Sequence, residues 1–431
     1  MHNLNPNQKL LLSAEYLLDI NPLRKYEILF SNLNCSPLET FSSSEGRPAI
    51  SKSALLKALI FKNLKPLPTL FDLSVELVDN PTLSLRCGLP TNLNPHAIQE
   101  RLSNFLRDTP NQILQMIRCN LVTQLRKLRQ IKGNILSIDS CAVFSQVKEN
   151  NLNTSVKDRF NKLKIPAADP DARLGVTIEF PEPFQKKVSF FWGYRNHVIC
   201  DTHSELPVVE ITSPANVSEQ TLFVPLFTQV KHDFHFNITK IVADAMYDTE
   251  HILKFVINKL HAKPYIAPNP RWSIYSDVKP SASGGLICVA GFEMTYWGKF
   301  KDRGRTRLKF VCPITHLKKF AKRHPYCPWN HYKFVNATGC YAYRRGDFDV
   351  RKNIKYGSQT FKKFYNQRTS SERIFSRFLT LSMQSPTVKG LNAVANHCTI
   401  AHISVLLLAL TAVKTGHKDK IRFIKKFLPY L

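Results

Sequence analysis

Acidic residues are scarce in this chain of 431 residues: 32 Asp and Glu stand against 60 Lys and Arg, a formal charge of +28. A surface so unbalanced repels itself when folded, and a polyanionic partner relieves that repulsion. Nucleic acid is the first candidate and an anionic membrane surface the second. Long apolar runs are missing too. The longest, residues 399–413, is interrupted by His402 and Ser404 and falls short of the roughly 20 residues a bilayer span needs. A buried helix is the better reading, which weakens the membrane option. Residues 1–10 carry no apolar signal-peptide core. The ten cysteines are scattered rather than gathered into a disulfide-dense block. The expected setting is therefore a reducing cytoplasm, with mostly free thiols. No internal repeat or low-complexity segment stands out. With 43% apolar and 21% charged residues, the composition is that of a folded chain, and its length suits two or three domains.

The pattern divides the chain. Residues 1–125 read as helical, with amphipathic segments beginning near Ser51, Thr69 and His96 and Pro and Asn clustered between them. A plain helical bundle and a DNA-binding head are both compatible with that pattern. From residue 134 the texture becomes α/β. Residues 135–143 form a short apolar run holding one carboxylate, Asp139, and read as a buried strand. Further strands are expected at 175–179, 187–191, 197–200, 206–212, 238–244 and 265–267, with helices over 218–230 and 249–260. From about 270 to 357, Pro, Gly, Cys, aromatic and basic residues dominate. Residues 299–377 hold 21 Lys and Arg against 4 Asp and Glu. One long helix is expected over 359–383, followed by a helix-rich, basic tail.

Where acids are few, their positions carry information. Asp139 lies inside one apolar strand and Asp244 ends another. A carboxylate in such a setting is costly unless a cation or a hydrogen-bond donor satisfies it. Either Asp alone could be a local cap. Together, at the ends of two strands of one sheet, they suggest a site for a hard divalent cation such as Mg²⁺ or Mn²⁺. Tyr365, Arg368 and Glu372 are spaced three and four apart, so a helix puts them on one face. That stripe is either a metal ligand flanked by two phosphate-holding groups or an ordinary surface ion pair.

The order of these blocks resembles the Asp-Asp-Glu signature of DDE transposases of the bacterial insertion-sequence type. Ile138-Asp139-Ser140 is similar to the first block, and Val242-Ala-Asp244-Ala-Met-Tyr247-Asp248 to the second. Tyr365-x-x-Arg368-x-x-x-Glu372-Arg373 is similar to the third. Trp192-Gly-Tyr-Arg-Asn-His197, Leu206-Pro-Val-Val and Pro214-Ala-Asn-Val resemble the strands between the first two, and Asn80-Pro-Thr-Leu-Ser-Leu-Arg-Cys-Gly88-Leu the N-terminal helical domain of such enzymes. One departure is Leu379, seven positions after the Glu, where many relatives are basic; Arg373 and Arg377 are the available substitutes.

The resemblance implies an RNase H-like mixed sheet flanked by helices, with an N-terminal helical DNA-binding domain at 1–125. The catalytic core would span 130–269 and be completed, with the C-terminal helices, by 358–431. It implies two Mg²⁺ (or Mn²⁺) ions held by Asp139, Asp244 and Glu372, with Tyr365, Arg368, Arg373 and Arg377 on DNA. The expected activity is strand cleavage and strand transfer at transposon ends, by a homodimer on DNA near the bacterial nucleoid, with no membrane partner. A nuclease that cuts without joining and a domesticated DNA-binding protein are the alternatives.

The 128 residues from Asp244 to Glu372 exceed what such a core needs, so 270–357 reads as a basic insertion. Its Trp297 and Trp329, with Tyr296, Phe300, Tyr332 and Tyr343, could stack on an unpaired base or form the insertion's own core. Cys288, Cys312, Cys327 and Cys340, with His316, His324 and His331 nearby, make zinc a further expectation, although tight Cys-x-x-Cys pairs are lacking.

Overall fold

The computed structural model describes residues 21–39, 50–182, 185–269, 278–281, 283, 285–302, 305–330, 339–345, 348–351 and 354–431. A six-stranded mixed sheet forms its centre, built from β1 (Ile135–Phe144), β2 (Arg173–Glu182), β3 (Gln185–Asp201), β4 (Leu206–Pro214), β5 (Lys240–Ala243) and β6 (Lys263–Ile266). The two strands expected at 187–191 and 197–200 are one strand, β3. Its first half pairs with β2, and its second half lies between β1 and β4. The changeover falls at Gly193, where an added Cβ would stand 2.1 Å from Val143 O. Only glycine lets β3 approach β1 this closely.

β1, β5 and β6 run parallel, and the chain enters both β5 and β6 from a helix. Ile241, Val242 and Ala243 of β5 are all buried, as expected of a parallel strand covered on both faces. The helix Glu219–Phe234 leads into β5. The next helix starts with Thr249 capping Ile252 N and passes into a wider π turn at Phe255–Lys259.

The apolar run near the C-terminus forms a helix of 24 residues, Leu391–Lys414, longer than the run that flagged it. It is long and apolar enough to cross a membrane by composition, yet its apolar stretch is wholly buried inside the protein. His402 and Ser404, which interrupt it, each find a partner, while His402 Nδ1 is buried without one. His402 Nε2 meets Asn196 Oδ1 at 2.9 Å, and Ser404 donates to Ile400 O at 2.8 Å. Buried Glu210 of β4 accepts from Asn196 and Thr399, each at 2.7 Å. A buried polar group fully bonded in this way fixes one register between sheet and helix. The helices Lys52–Leu64, Pro95–Asp108 and Asn111–Lys127 pack around this core helix, Leu70–Asp79 packs on Pro95–Asp108, and all share one continuous apolar core with the sheet. Thr69 and Asp72 form a reciprocal capping box, and Asn94 caps the helix that Pro95 opens.

The basic insertion carries β7 (Lys279–Pro280), β8 (Leu286–Ile287), β9 (Thr295–Asp302), β10 (Arg305–Val311) and β11 (Tyr341–Arg345), the last three as an antiparallel sheet ordered β11-β10-β9. It has a small core of its own, made by Leu286, Met294, Leu308, Phe310 and Ala342.

The single helix expected over 359–383 is broken. Gln359–Tyr365 and Thr369–Thr380 are α-helical, and Asn366–Arg368 between them is a 3₁₀ turn. Hydroxyls at the joint compete for backbone carbonyls: Thr369 donates to Asn366 O at 3.0 Å and Ser371 to Arg368 O at 2.7 Å.

Candidate active site

The parallel register pairs Ile138 of β1 with Ala243 of β5, so Asp139 and Asp244 are the next residues on adjacent strands. β5 stops there, while β1 runs on beside β3 to Phe144. The sheet splits at the two carboxylates, and the C-terminal end of a parallel strand pair is where α/β sheets leave a crevice. Both aspartates are half-buried. Asp139 accepts from Ser140 N at 2.8 Å, and Asp244 caps the turn Ala245–Tyr247 by accepting from Met246 N at 2.8 Å. Asp244 is thus a cap as well as a member of the pair.

Burial and then the neighbouring Asp244 push the Asp139 carboxyl up to about 7. Burial and Glu219 raise Asp244 as well. Two acids that strain against ionising together mark a pocket with an unmet need for positive charge. Arg368 meets part of it, lowering both aspartates from across the pocket.

The helix Thr369–Thr380 docks on β1 through a hydroxyl pair: Ser370 Oγ lies 3.0 Å from Ser137 Oγ. Ser137 is two residues before Asp139, and Ser370 two before Glu372, so this contact brings the third block to the first. Glu372 is exposed, and Arg368 holds its Oε1 at 2.7 Å. The surface ion pair is therefore present. Tyr365 stacks on Phe361, with ring centroids 5.9 Å apart, and the charge of Arg368 acts on its phenol. Among the described residues, no group of three or more His, Cys, Asp or Glu side chains is arranged to hold a metal ion. The donor chemistry nevertheless fits a hard cation, because the adjacent carboxylates are oxygen donors and carry charge they cannot comfortably share.

Other expected site residues are placed elsewhere. Arg373 and Arg377 both grip Glu205, at 2.8 Å each, and Arg422 joins them at 3.3 Å. They lock the helix onto the turn after β3 rather than facing the two aspartates. Leu379 is exposed. Trp297 and Trp329 are exposed on the insertion, at 57% and 61%, and Phe310 rather than either Trp fills its core. The zinc expectation meets no metal-holding group among the described residues. Cys312 N bonds to Cys340 O at 2.8 Å, but Cys288, Cys312, Cys327 and Cys340 do not converge with one another or with His316 or His324 into a metal-holding group. The backbone pairing of β10 and β11 brings Cys312 and Cys340 together. His331 and Tyr332 lie outside the described residues.

Sequence reasoning missed Glu219, in the first turn of its helix. Its Oε1 accepts from Ser140 Oγ at 2.8 Å and from Arg195 at 3.0 Å. It also missed the buried ion pair of Arg351 with Asp248, which ties the end of the insertion to the Asp244 block at 2.5 Å. An acidic first helical turn reads as capping, so only the fold reveals what Glu219 faces.

The family model described as the transposase DDE domain matches residues 175–407, more than half of the chain. The chain belongs to the DDE transposases. Asp244, Glu372, Glu219 and Arg195 of this transposase lie inside the matched span, and Asp139 lies ahead of it. The curated proteins contain no match to it. Among solved structures it is similar to a piggyBac transposase synaptic complex with hairpin DNA, determined by cryo-EM. The identity is 12%, over 95% of this chain and 79% of that one, with a TM-score of 0.36.

Proposed function

We propose that this transposase cuts DNA at the ends of an insertion sequence and joins the freed ends to a target, with Asp139, Asp244 and Glu372 as the catalytic acids. The adjacency of Asp139 and Asp244 at the split of the sheet, with the Glu372 helix docked on the same strand, carries the reading. Two Mg²⁺ or Mn²⁺ ions bound by these acids would activate the attacking oxygen and stabilise the leaving one. The rest falls to the protein. Asp139 and Asp244, on adjacent strands, would hold the ions. Glu372 would complete the ligand set, its ion pair with Arg368 giving way. Arg368, so released, turns to a phosphate with Tyr365 beside it. Water attacks the phosphodiester and leaves a 3′-hydroxyl; that hydroxyl then attacks a target phosphodiester, whose 3′ oxygen departs. No protein nucleophile is consumed.

DNA, as transposon ends and as target, is the proposed partner. The helices at 21–127 are proposed as the described part of a DNA-binding domain. Trp297 and Trp329 stand exposed on the basic insertion, Trp297 on a strand that also carries Lys299 and Lys301, and are proposed to stack on bases near the cut. Arg373 and Arg377 would contact phosphate only after yielding part of their hold on Glu205. A homodimer pairing two ends, in a bacterial cytoplasm, completes the proposal.

The test uses end-labelled DNA carrying the sequences that flank the gene. Glu372→Gln is expected to lose cleavage and joining while still binding DNA. Full activity in that variant would remove Glu372 from the catalytic set, and cutting without joining by the native protein would favour a nuclease.

A further inference from the structure

Glu219 is the acid that the three expected blocks do not explain. It sits in the first turn of the helix Glu219–Phe234, which crosses from β4 to β5. A carboxylate there is favoured by the helix dipole alone, but its contacts lead elsewhere. Its Oε1 accepts from Ser140 Oγ at 2.8 Å, and Ser140 is the residue after Asp139. Arg195 of β3 reaches the same oxygen at 3.0 Å and Ser140 Oγ at 3.2 Å, and also bonds to Val176 O of β2. Arg195 thus fastens β2, β3 and the helix start around the end of β1. Glu219 also acts electrostatically on both aspartates and on the fully buried Tyr247. A single acid therefore links the Asp139 end of β1 to the sheet edge.

We propose that Glu219 is a fourth acidic member of the pocket, a positioning residue that holds the Asp139 end of β1 through Ser140 and Arg195 and whose charge strengthens divalent-cation binding. The inference rests on the proposed role of Asp139 and Asp244 as cation ligands. Its carboxylate is engaged by Ser140 and Arg195, so it acts through the pocket's field and through the placement of Asp139. Outer carboxylates of this kind tune affinity for a metal without touching it.

The experiment is Mn²⁺ titration of the full-length protein, with bound ion read by electron paramagnetic resonance. Glu219→Gln keeps the shape and a hydrogen-bonding oxygen but removes the charge, and is expected to weaken Mn²⁺ binding about 10- to 100-fold. Glu219→Asp restores the charge on a shorter arm and is expected to recover about half of that loss on a logarithmic scale, leaving binding about three- to tenfold weaker than native. Ser140→Ala leaves the charge in place and should change affinity less than Glu219→Gln does. Native affinity in a folded Glu219→Gln protein overturns the proposal. If Glu219→Gln melts below the assay temperature, Glu219→Asp is read alone: about threefold or greater weakening supports the proposal, and native affinity overturns it. Asp244→Asn separates the two layers of the argument. If it binds Mn²⁺ as the native protein does, the cation pocket itself fails; if it abolishes binding while Glu219→Gln does not, only the role of Glu219 fails.

Discussion

Replacing Asp139 with Asn should stabilise the metal-free protein at pH 8, the opposite of what removing a buried hydrogen-bonding group usually does. In the folded chain its carboxyl is pushed from 3.8 up to about 7. Between those values the folded state keeps a proton that the unfolded state has released. The stabilising contribution is therefore complete below about pH 4, falls as pH rises, and is gone above about pH 7. Three pH units at about 1.4 kcal/mol each set an upper limit of about 4 kcal/mol. Because Asp139 is only half-buried, about 2 kcal/mol is the working expectation. Asparagine mimics the protonated acid and escapes the loss. Thermal melts in EDTA from pH 4 to 9 should show the native and Asp139→Asn proteins converging at pH 4 and the variant melting higher at pH 8. Adding Mn²⁺ at 100 times its dissociation constant should raise the native protein by about 2.7 kcal/mol and leave the variant unmoved. A variant less stable than the native protein at pH 8 without metal would refute the reasoning, because Asp139 would then be an ordinary satisfied acid.

Three further outcomes follow from the geometry. Arg351→Met leaves Asp248 buried without its cation, so chemical denaturation should show a loss of about 3–5 kcal/mol. Trp297→Ala should weaken binding to DNA with an unpaired end by about 1–3 kcal/mol and leave fully paired DNA unaffected, as read by fluorescence anisotropy. Glu205→Ala frees Arg373, Arg377 and Arg422 together and should lower the melting temperature; an unchanged melt would mean the three ion pairs do not hold the Glu372 helix in place.

Much of the centre was legible because it rests on short-range pattern. An apolar run with one acid marked β1, a second such run marked β5, and spacing placed Arg368 and Glu372 together. The composition of residues 399–413 identified a buried helix. What escaped depends on pairing across the fold. Nothing near Glu219 in the chain signals Ser140 or Arg195, which reach it only once β3 lies against β1. The joining of two expected strands into β3 turns on Gly193, whose need is set by Val143 O. Arg373 and Arg377 were read as DNA contacts because the partner that occupies them, Glu205, sits at a left-handed turn 168 residues from Arg373. The 3₁₀ turn at Asn366–Arg368 reflects local hydroxyl competition that helical spacing hides.

The most direct measurement is a crystal structure of the protein bound to cleaved-end DNA in Mn²⁺, with the ions located by their anomalous scattering. The account predicts manganese between Asp139 and Asp244, with Glu372 turned from Arg368 to complete the ligand set. Manganese bound elsewhere, or Glu372 still held by Arg368 in a DNA complex competent to join its ends, would contradict it.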